Sequence, residues 1–283
     1  MLEVTARVLP QENPCRPFMK WAGGKSQLIP ELVQRLPVRF SNYFEPFIGS
    51  GALFFTVRPS GAMLSDINRE LINVYRIVQD QVEALIKDLK RHRHNSRYFY
   101  ELRSADRKTD FWTWSEIERA GRTIFLNKTC FNGLFRVNSR GEFNVPFGDY
   151  KNPTIADEEN LRSCAAALRG AELEVQPFDR IRDFVRSGDF VYFDPPYLPL
   201  TPTANFTSYH SSGFGFQDHV KLRDLCIDLD KKGVRFMLSN SHTPQVLELF
   251  EGFDIDVVYA NRAINSKAEG RGKVREVIVR NYR

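Results

Sequence analysis

The sequence predicts an α/β fold, a sheet of short buried strands alternating with helices and interrupted by an inserted segment. Three observations carry that expectation. Strand-like apolar runs recur at 43–47, 61–66, 190–193, 235–238, 255–259 and 276–279. Between them lie helical spacings of apolar residues, clearest at Leu71, Val74, Tyr75, Val78, Val82, Leu85, Ile86 and Leu89. From about 91 to 160 the pattern changes, and Arg and aromatic residues crowd together.

Taken in order, residues 1–17 read as an irregular lead-in. A short helix is expected over 24–36, stopped by Pro37. The strand at 43–47 runs into a Gly-rich turn, and a helix begins at 52–57. The strand at 61–66 carries Asp66 at its carboxyl end, and one long helix is expected over 68–90. Two short runs within 131–147 flank Asn138-Ser139-Arg140-Gly141, the signature of a hairpin turn. A helix over 216–231 separates the strands at 190–193 and 235–238. No helix is evident between the runs at 255–259 and 276–279, so these are expected to pair antiparallel at the end of the sheet. No internal repeat or low-complexity tract is present. The sheet-forming sequence thus divides into 1–74 and 166–283, one catalytic-type domain around an insertion at 75–165.

The composition is that of an ordinary globular chain: 283 residues, 42% hydrophobic and 27% charged, enough to bury a full core. No apolar run has the length of a membrane span and no leader pattern opens the chain, so no membrane partner is expected. Cys15, Cys130, Cys164 and Cys226 are dispersed without paired spacing, which predicts no metal site, no disulfide framework and a cytoplasmic setting. The net charge is +5, and between Lys87 and Arg140 thirteen Lys and Arg face six Asp and Glu. One segment therefore carries the whole basic excess. That is either a solvated helical face or a surface for a polyanion.

Four motifs bear on chemistry. Phe47-Ile48-Gly49-Ser50-Gly51 follows a strand, where glycines allow a sharp turn and a close ligand approach. Phe54 stands where a dinucleotide fingerprint needs a third Gly, which argues against NAD or FAD. Asp66 lies at the end of the next strand, placed either to accept from ribose hydroxyls or to cap the following helix. Trp21-Ala22-Gly23-Gly24-Lys25-Ser26 ends like a P-loop, yet Met19 occupies the required first Gly position and no strand precedes it. Asp194-Pro195-Pro196-Tyr197 leaves the strand at 190–193, with two prolines stiffening the exit. A carboxylate and a backbone carbonyl there can each accept an N–H from an exocyclic amine, countering its delocalisation and stabilising the charge that builds on alkylation. The Tyr ring can hold a planar base in line.

These motifs, in this order, resemble the Dam-type DNA adenine methyltransferases: Lys20-Trp21-Ala22-Gly23-Gly24-Lys25, Glu45-Pro46-Phe47-Ile48-Gly49-Ser50-Gly51, Ser65-Asp66-Ile67-Asn68 and Asp194-Pro195-Pro196-Tyr197. Phe131-Asn132-Gly133-Leu134-Phe135-Arg136 and Gly141-Glu142-Phe143-Asn144-Val145-Pro146-Phe147-Gly148 share the likeness, which runs from about Lys20 to Tyr282. The resemblance implies a seven-stranded, Rossmann-like methyltransferase sheet with a hairpin-bearing target-recognition insertion. It implies S-adenosylmethionine as methyl donor, double-stranded DNA as partner, GATC as target and a flipped adenine. It assigns Asp194, Pro195 and Tyr197 to catalysis, and Trp21, Lys25, Phe47, Gly49, Gly51, Asp66 and Asp194 to the cofactor. DNA contacts fall to Lys20, Phe131, Asn132, Leu134, Arg136, Asn138 and Pro146. Family members often carry Tyr where this chain has Phe131, so a ring is kept and a hydroxyl lost. A monomer or weak dimer, in a bacterial or phage setting, is expected.

Two further segments invite a role: the aromatic stretch Asn205-Phe206-Thr207-Ser208-Tyr209 with Gly213-Phe214-Gly215-Phe216, and the basic Lys267, Arg271, Lys273 and Arg275. The first is either a cover for the base or a surface loop, the second a phosphate contact or a solvated loop. Competing chemistries are methylation of cytosine N4, RNA or a protein glutamine. Asp194 and the basic insertion favour DNA adenine over these, and the intact Asp-Pro-Pro-Tyr speaks against a DNA-binding module without catalysis.

Overall fold

The computed structural model describes residues 4–5, 14–21, 23–199, 213–261 and 273–283. Seven strands form one sheet: β3 (Tyr43–Glu45), β4 (Ala62–Asp66), β5 (Glu172–Val175), β6 (Phe190–Phe193), β7 (Arg235–Ser241), β8 (Asp254–Asn261) and β9 (Lys273–Arg280). Their spatial order is β5-β4-β3-β6-β7-β9-β8. The first five are parallel, and β9 runs antiparallel to both neighbours, with Ser239 opposite Ile278 and Asp256 opposite Ile278. The expected antiparallel pair is thus present, and its second strand is inserted inside the sheet. A small separate ribbon pairs β1 (Val4–Thr5) with β2 (Arg39–Phe40).

Every residue of β3, β4 and β6 is buried, as continuous apolar runs require. Alternation divides them between two cores. Tyr43, Leu64, Phe190, Tyr192, Met237 and Ile278 face one cluster, which also takes in residues of α2 (Ala52–Val57), α3 (Arg69–Asp80), α4 (Val82–Leu89), α6 (Glu116–Thr129) and α7 (Glu158–Leu168). Phe44, Met63, Val191, Phe193, Leu238, Val277 and Val279 face the other, beneath α8 (Phe216–Lys231) and α9 (Pro244–Leu249). A third, smaller core joins Phe99 of α5 (Ser96–Arg103) to Phe125, Leu126, Cys130, Phe143 and Val145.

Several expectations change. The helix over 24–36 shrinks to α1 (Ile29–Gln34), because 25–28 form turns around Lys25. The helix over 68–90 breaks at Gln81, whose φ of −137° and ψ of 37° leave the helical region, giving α3 and α4. Strand β5 and helices α7 and α9 lie where none was expected. The hairpin forms around the bridges Cys130↔Phe147 and Val137↔Phe143. The segment 205–209 and residues Lys267 and Arg271 lie outside the described residues, as does Ala22. No described helix is long and apolar enough to cross a membrane.

Candidate functional site

The carboxyl ends of β3, β4, β5 and β6 open into a cavity of ≈ 960 Å³, where ligands of parallel sheets bind. Trp21, Lys25, Phe47, Gly49, Asp66, Asp194, Pro195 and Tyr197 all line it. Gly51 does not. It precedes α2 in the left-handed region at φ 66°, and a Cβ there would stand 2.8 Å from the Tyr75 hydroxyl. Gly49, at φ 46°, lies under Trp21, whose Cδ1 would be 3.0 Å from an added Cβ. Tyr75 closes the turn by donating to the Gly49 carbonyl at 3.0 Å.

At the end of β6, Asp194 Oδ1 stands 2.7 Å from Lys25 Nζ, whose side chain is 7% exposed. Burial pushes the Asp194 carboxyl up to about 6, Lys25 pulls it down and Glu276 adds to the rise. Tyr197 donates its hydroxyl to Glu276 Oε2 at 2.8 Å, so a residue of β9 fixes that ring. The chain beyond is tied to β7: Asn240 Oδ1 accepts from Leu198 N–H at 3.3 Å and Ser241 donates to the Leu198 carbonyl at 2.7 Å. This arrangement can accept hydrogen bonds from an amine at Asp194 and offer a ring face at Tyr197.

The opposite part of the cavity suits a nucleoside. Asp66 accepts from Asn68 N–H at 2.9 Å, and burial raises its carboxyl to about 6. The cap of α3 is Asn68, whose side chain accepts from Leu71 N–H at 3.1 Å, so Asp66 is not the helix cap. Phe47 stacks on Phe178 with centroids 5.3 Å apart, and Phe214 meets both edge-on at 5.6 and 5.8 Å. Phe214 thus joins the cavity wall beside Phe47. Glu45, also in the lining, is pushed up to about 8 by burial, against the Tyr43 hydroxyl that donates to it at 2.6 Å.

Phe178, Asp179 and Glu276 escaped sequence reasoning, and Glu45 entered it only as part of a motif, with no role of its own. Phe178 and Asp179 follow β5, and an aromatic-acid pair after that strand becomes visible only once the strand is known. Glu276 reaches Tyr197 from 79 residues away. Among the described residues no group of three or more His, Cys, Asp or Glu is placed to hold a metal ion.

A second surface forms on the hairpin. Phe131 N–H donates to the Pro146 carbonyl at 2.9 Å, bringing the two exposed side chains together. Phe131 is 52% exposed, and Asn132 beside it adopts φ 57°. Arg136 is exposed and donates from Nε to Asn144 Oδ1 at 2.8 Å. Lys20 is exposed and packs against Gly133. Asn138 differs from these: its Oδ1 accepts from Arg140 and Glu142 N–H and its Nδ2 donates to Glu142 Oε2, so its side chain shapes the turn. The basic excess is partly turned inward. Arg122 pairs with Asp106 at 2.8 Å, Arg119 with Glu70 at 3.2 Å, and Arg103 and Arg107 hold the Val145 and Phe143 carbonyls. Arg119 and Arg122, both buried and paired with carboxylates, contribute less to an outward field than their count suggests.

Comparison with known proteins assigns the chain to a family. The family model described as D12 class N6 adenine-specific DNA methyltransferase matches residues 21–264. The chain is 47% identical to the Type II methyltransferase M1.LlaDCHI of Lactococcus lactis subsp. cremoris, over 94% of this chain and 95% of that protein. It is 38% identical to the DNA adenine methylase of Serratia marcescens, covering 93% and 97%, and 32% identical to that of Escherichia coli K12, covering 93% and 94%. A family match over residues 21–264 and relatives of this identity and coverage, on a chain with a seven-stranded α/β sheet, leave one conclusion: the chain belongs to the D12 class of N6 adenine-specific DNA methyltransferases.

Proposed function

We propose that the enzyme transfers a methyl group from S-adenosylmethionine to N6 of an adenine flipped out of duplex DNA, with GATC as its target and residues 75–165 as the reader. The observation that carries this is the shared cavity: Asp194 and Tyr197 border the same space as Asp66, Phe47 and Phe178. The residues present fit the cofactor. A buried carboxylate at Asp66 suits ribose hydroxyls, the Phe47–Phe178 pair suits a purine face, and Asp179 suits a purine amine. Trp21, Lys25 and Gly49 complete that wall.

When bound, S-adenosylmethionine would supply an electrophilic methyl carbon and leave as S-adenosylhomocysteine, while N6 would shed one proton as the new C–N bond replaces an N–H. The chain supplies the rest. Asp194 and the Pro195 carbonyl accept the two N–H groups of the adenine amine, which draws its lone pair out of the ring and offsets the developing positive charge. Tyr197, held by Glu276, stacks on the base and keeps the nitrogen in line. An amine inside a duplex cannot reach Asp194, so the base must leave the stack. Lys20 and the hairpin positions Phe131, Asn132, Leu134, Arg136 and Pro146 contact the DNA around it, with Asn138 setting the turn that presents them. The names of the relatives support the adenine chemistry, and the Type II designation supports a place in restriction-modification.

Incubation with methyl-labelled S-adenosylmethionine and a duplex library, followed by sequencing for modified bases, tests each part. Methylated adenine confined to GATC is expected. N4-methylcytosine would overturn the base assignment, another motif the target, and absence of label the donor.

A further inference from the structure

Residues 20 and 21 stand between the cavity and the hairpin. Trp21 borders the cavity over Gly49, and the same indole stacks on Phe135 with centroids 4.7 Å apart and planes inclined by 21°. Phe135 lies between Leu134 and Arg136 in the chain, and its ring meets Phe143 of the opposing arm edge-on at 5.7 Å. A second, independent contact ties the same parts. Asn127 of α6, 1% exposed, accepts from Lys20 N–H at 2.9 Å and donates to the carbonyls of Lys20 at 2.7 Å and Gly133 at 3.1 Å. Lys20 also lies so close to Gly133 that a Cβ there would run into its Cδ. The hairpin arms are joined to each other by the bridges Cys130↔Phe147 and Val137↔Phe143 and by backbone bonds such as Asn144 N–H to the Arg136 carbonyl at 3.1 Å, so a contact made by one arm, such as that of Phe135 with Trp21, bears on both.

We infer that Phe135 is a positioning residue that makes recognition of the DNA site depend on occupancy of the cofactor cavity. This rests on the function proposed above. Trp21 is shared by the two sites: one contact meets the glycine turn of the cavity and another carries the arm that presents Leu134 and Arg136. A ligand that orders Trp21 against Gly49 therefore also orders Phe135. Duplex bound by the arm returns the same free energy to the cavity, because coupling between two sites is reciprocal. Contact alone does not establish coupling, which needs a shared element biased from both ends. The Trp21–Phe135 stack is that element.

The test is fluorescence anisotropy of a duplex bearing the enzyme's methylation site, with and without saturating S-adenosylhomocysteine, on the whole enzyme and its Phe135 variants. For the unaltered enzyme the product should tighten binding of this duplex by about fivefold or more. In Phe135→Ala the ratio should fall to about one, whatever affinity the variant keeps for duplex alone or product alone. Phe135→Tyr, which keeps the ring, should restore it. Thermal unfolding verifies that each variant folds, and if Phe135→Ala does not, Phe135→Leu fills the space without the stack and is read in the same way. A variant lacking the ring that keeps the full ratio overturns the inference. So does an unaltered enzyme that binds both ligands with a ratio of one. An unaltered enzyme that binds no product overturns the cofactor assignment itself, and the coupling with it.

Discussion

Lys25 Nζ stands 2.7 Å from Asp194 Oδ1, and the same ammonium lies 4.4 Å from the centroid of the Tyr197 ring. A third contact, 2.6 Å to the Gly23 carbonyl, fixes it there. One buried cation thus touches the carboxylate and the ring that the proposed transfer requires. Burial drives Asp194 toward neutrality at about 6, and Lys25 is the counterweight that keeps it ionised at physiological pH.

A rate profile follows from that balance. Asp194 has a folded pKa above the usual carboxylate value, so its charged form is lost as pH falls through about 6. Only that form accepts both the ammonium and an amine. With saturating cofactor, which removes the parallel titration of Asp66, kcat/KM for DNA should rise with pH to a plateau above this value. Lys25→Met removes the attraction and should move the acid limb to higher pH. Glu276→Gln removes a repulsive charge, keeps an acceptor for the Tyr197 hydroxyl, and should move it to lower pH. Two limbs that stay in place would show that another group controls the profile.

Asp194→Ala should abolish methyl transfer, because the amine loses its acceptor. DNA binding should persist, since phosphate contacts supply most of the affinity. Single-turnover methylation alongside duplex binding separates the two effects, and near-normal turnover would remove the proposed mechanism.

Asp66→Ala should weaken cofactor binding by roughly 1–3 kcal/mol, the cost of ribose hydroxyls left without a partner. Because Asn68 caps α3, no cap is lost in this variant. Calorimetry with S-adenosylhomocysteine and a melting curve give both readouts. Unchanged affinity with reduced stability would show that Asp66 serves its own loop, through the N–H of Asn68, and not a ligand.

The sheet was legible in the sequence wherever a strand is buried along its whole length, as at β3, β4 and β6. Strand β5 was not, because only Leu173 among its four residues is buried and no apolar run marks it. The break at Gln81 was hidden because apolar spacing continues across it through Val82, Leu85 and Ile86. Local motifs singled out Asp66, Gly49 and Asp194, which line the cavity, since each stands at or shortly after the end of a recognisable strand. Residues that act through distant partners left no local trace. Glu276 supports Tyr197 from across the sheet, and Asn127 joins residues 20 and 133 from within a helix. Charge counting misjudged Arg119 and Arg122 for the same reason, because sequence shows their number and not the carboxylates they face.

Arg136 should read a guanine. It is exposed on the hairpin, and among the described residues Asn144 engages only its Nε, which leaves both terminal nitrogens for a ligand. A two-stranded ribbon fits the major groove, where guanine presents two acceptors that match the guanidinium fork. Asn144 on the facing arm then acts as a brace, and Asn144→Ala should reproduce part of the Arg136→Ala defect. The competing role is a phosphate contact, which most protein–DNA hydrogen bonds serve. The two roles differ in outcome. A lost base contact in Arg136→Ala should cost about 1–3 kcal/mol on the cognate duplex and relax discrimination at one position of the site. A lost phosphate contact should weaken every sequence alike and flatten the salt dependence. Methylation rates on the cognate duplex and each of its single-base variants decide between them. A uniform drop, with the ranking of sites unchanged, would show that Arg136 anchors the backbone and leaves base reading to its neighbours.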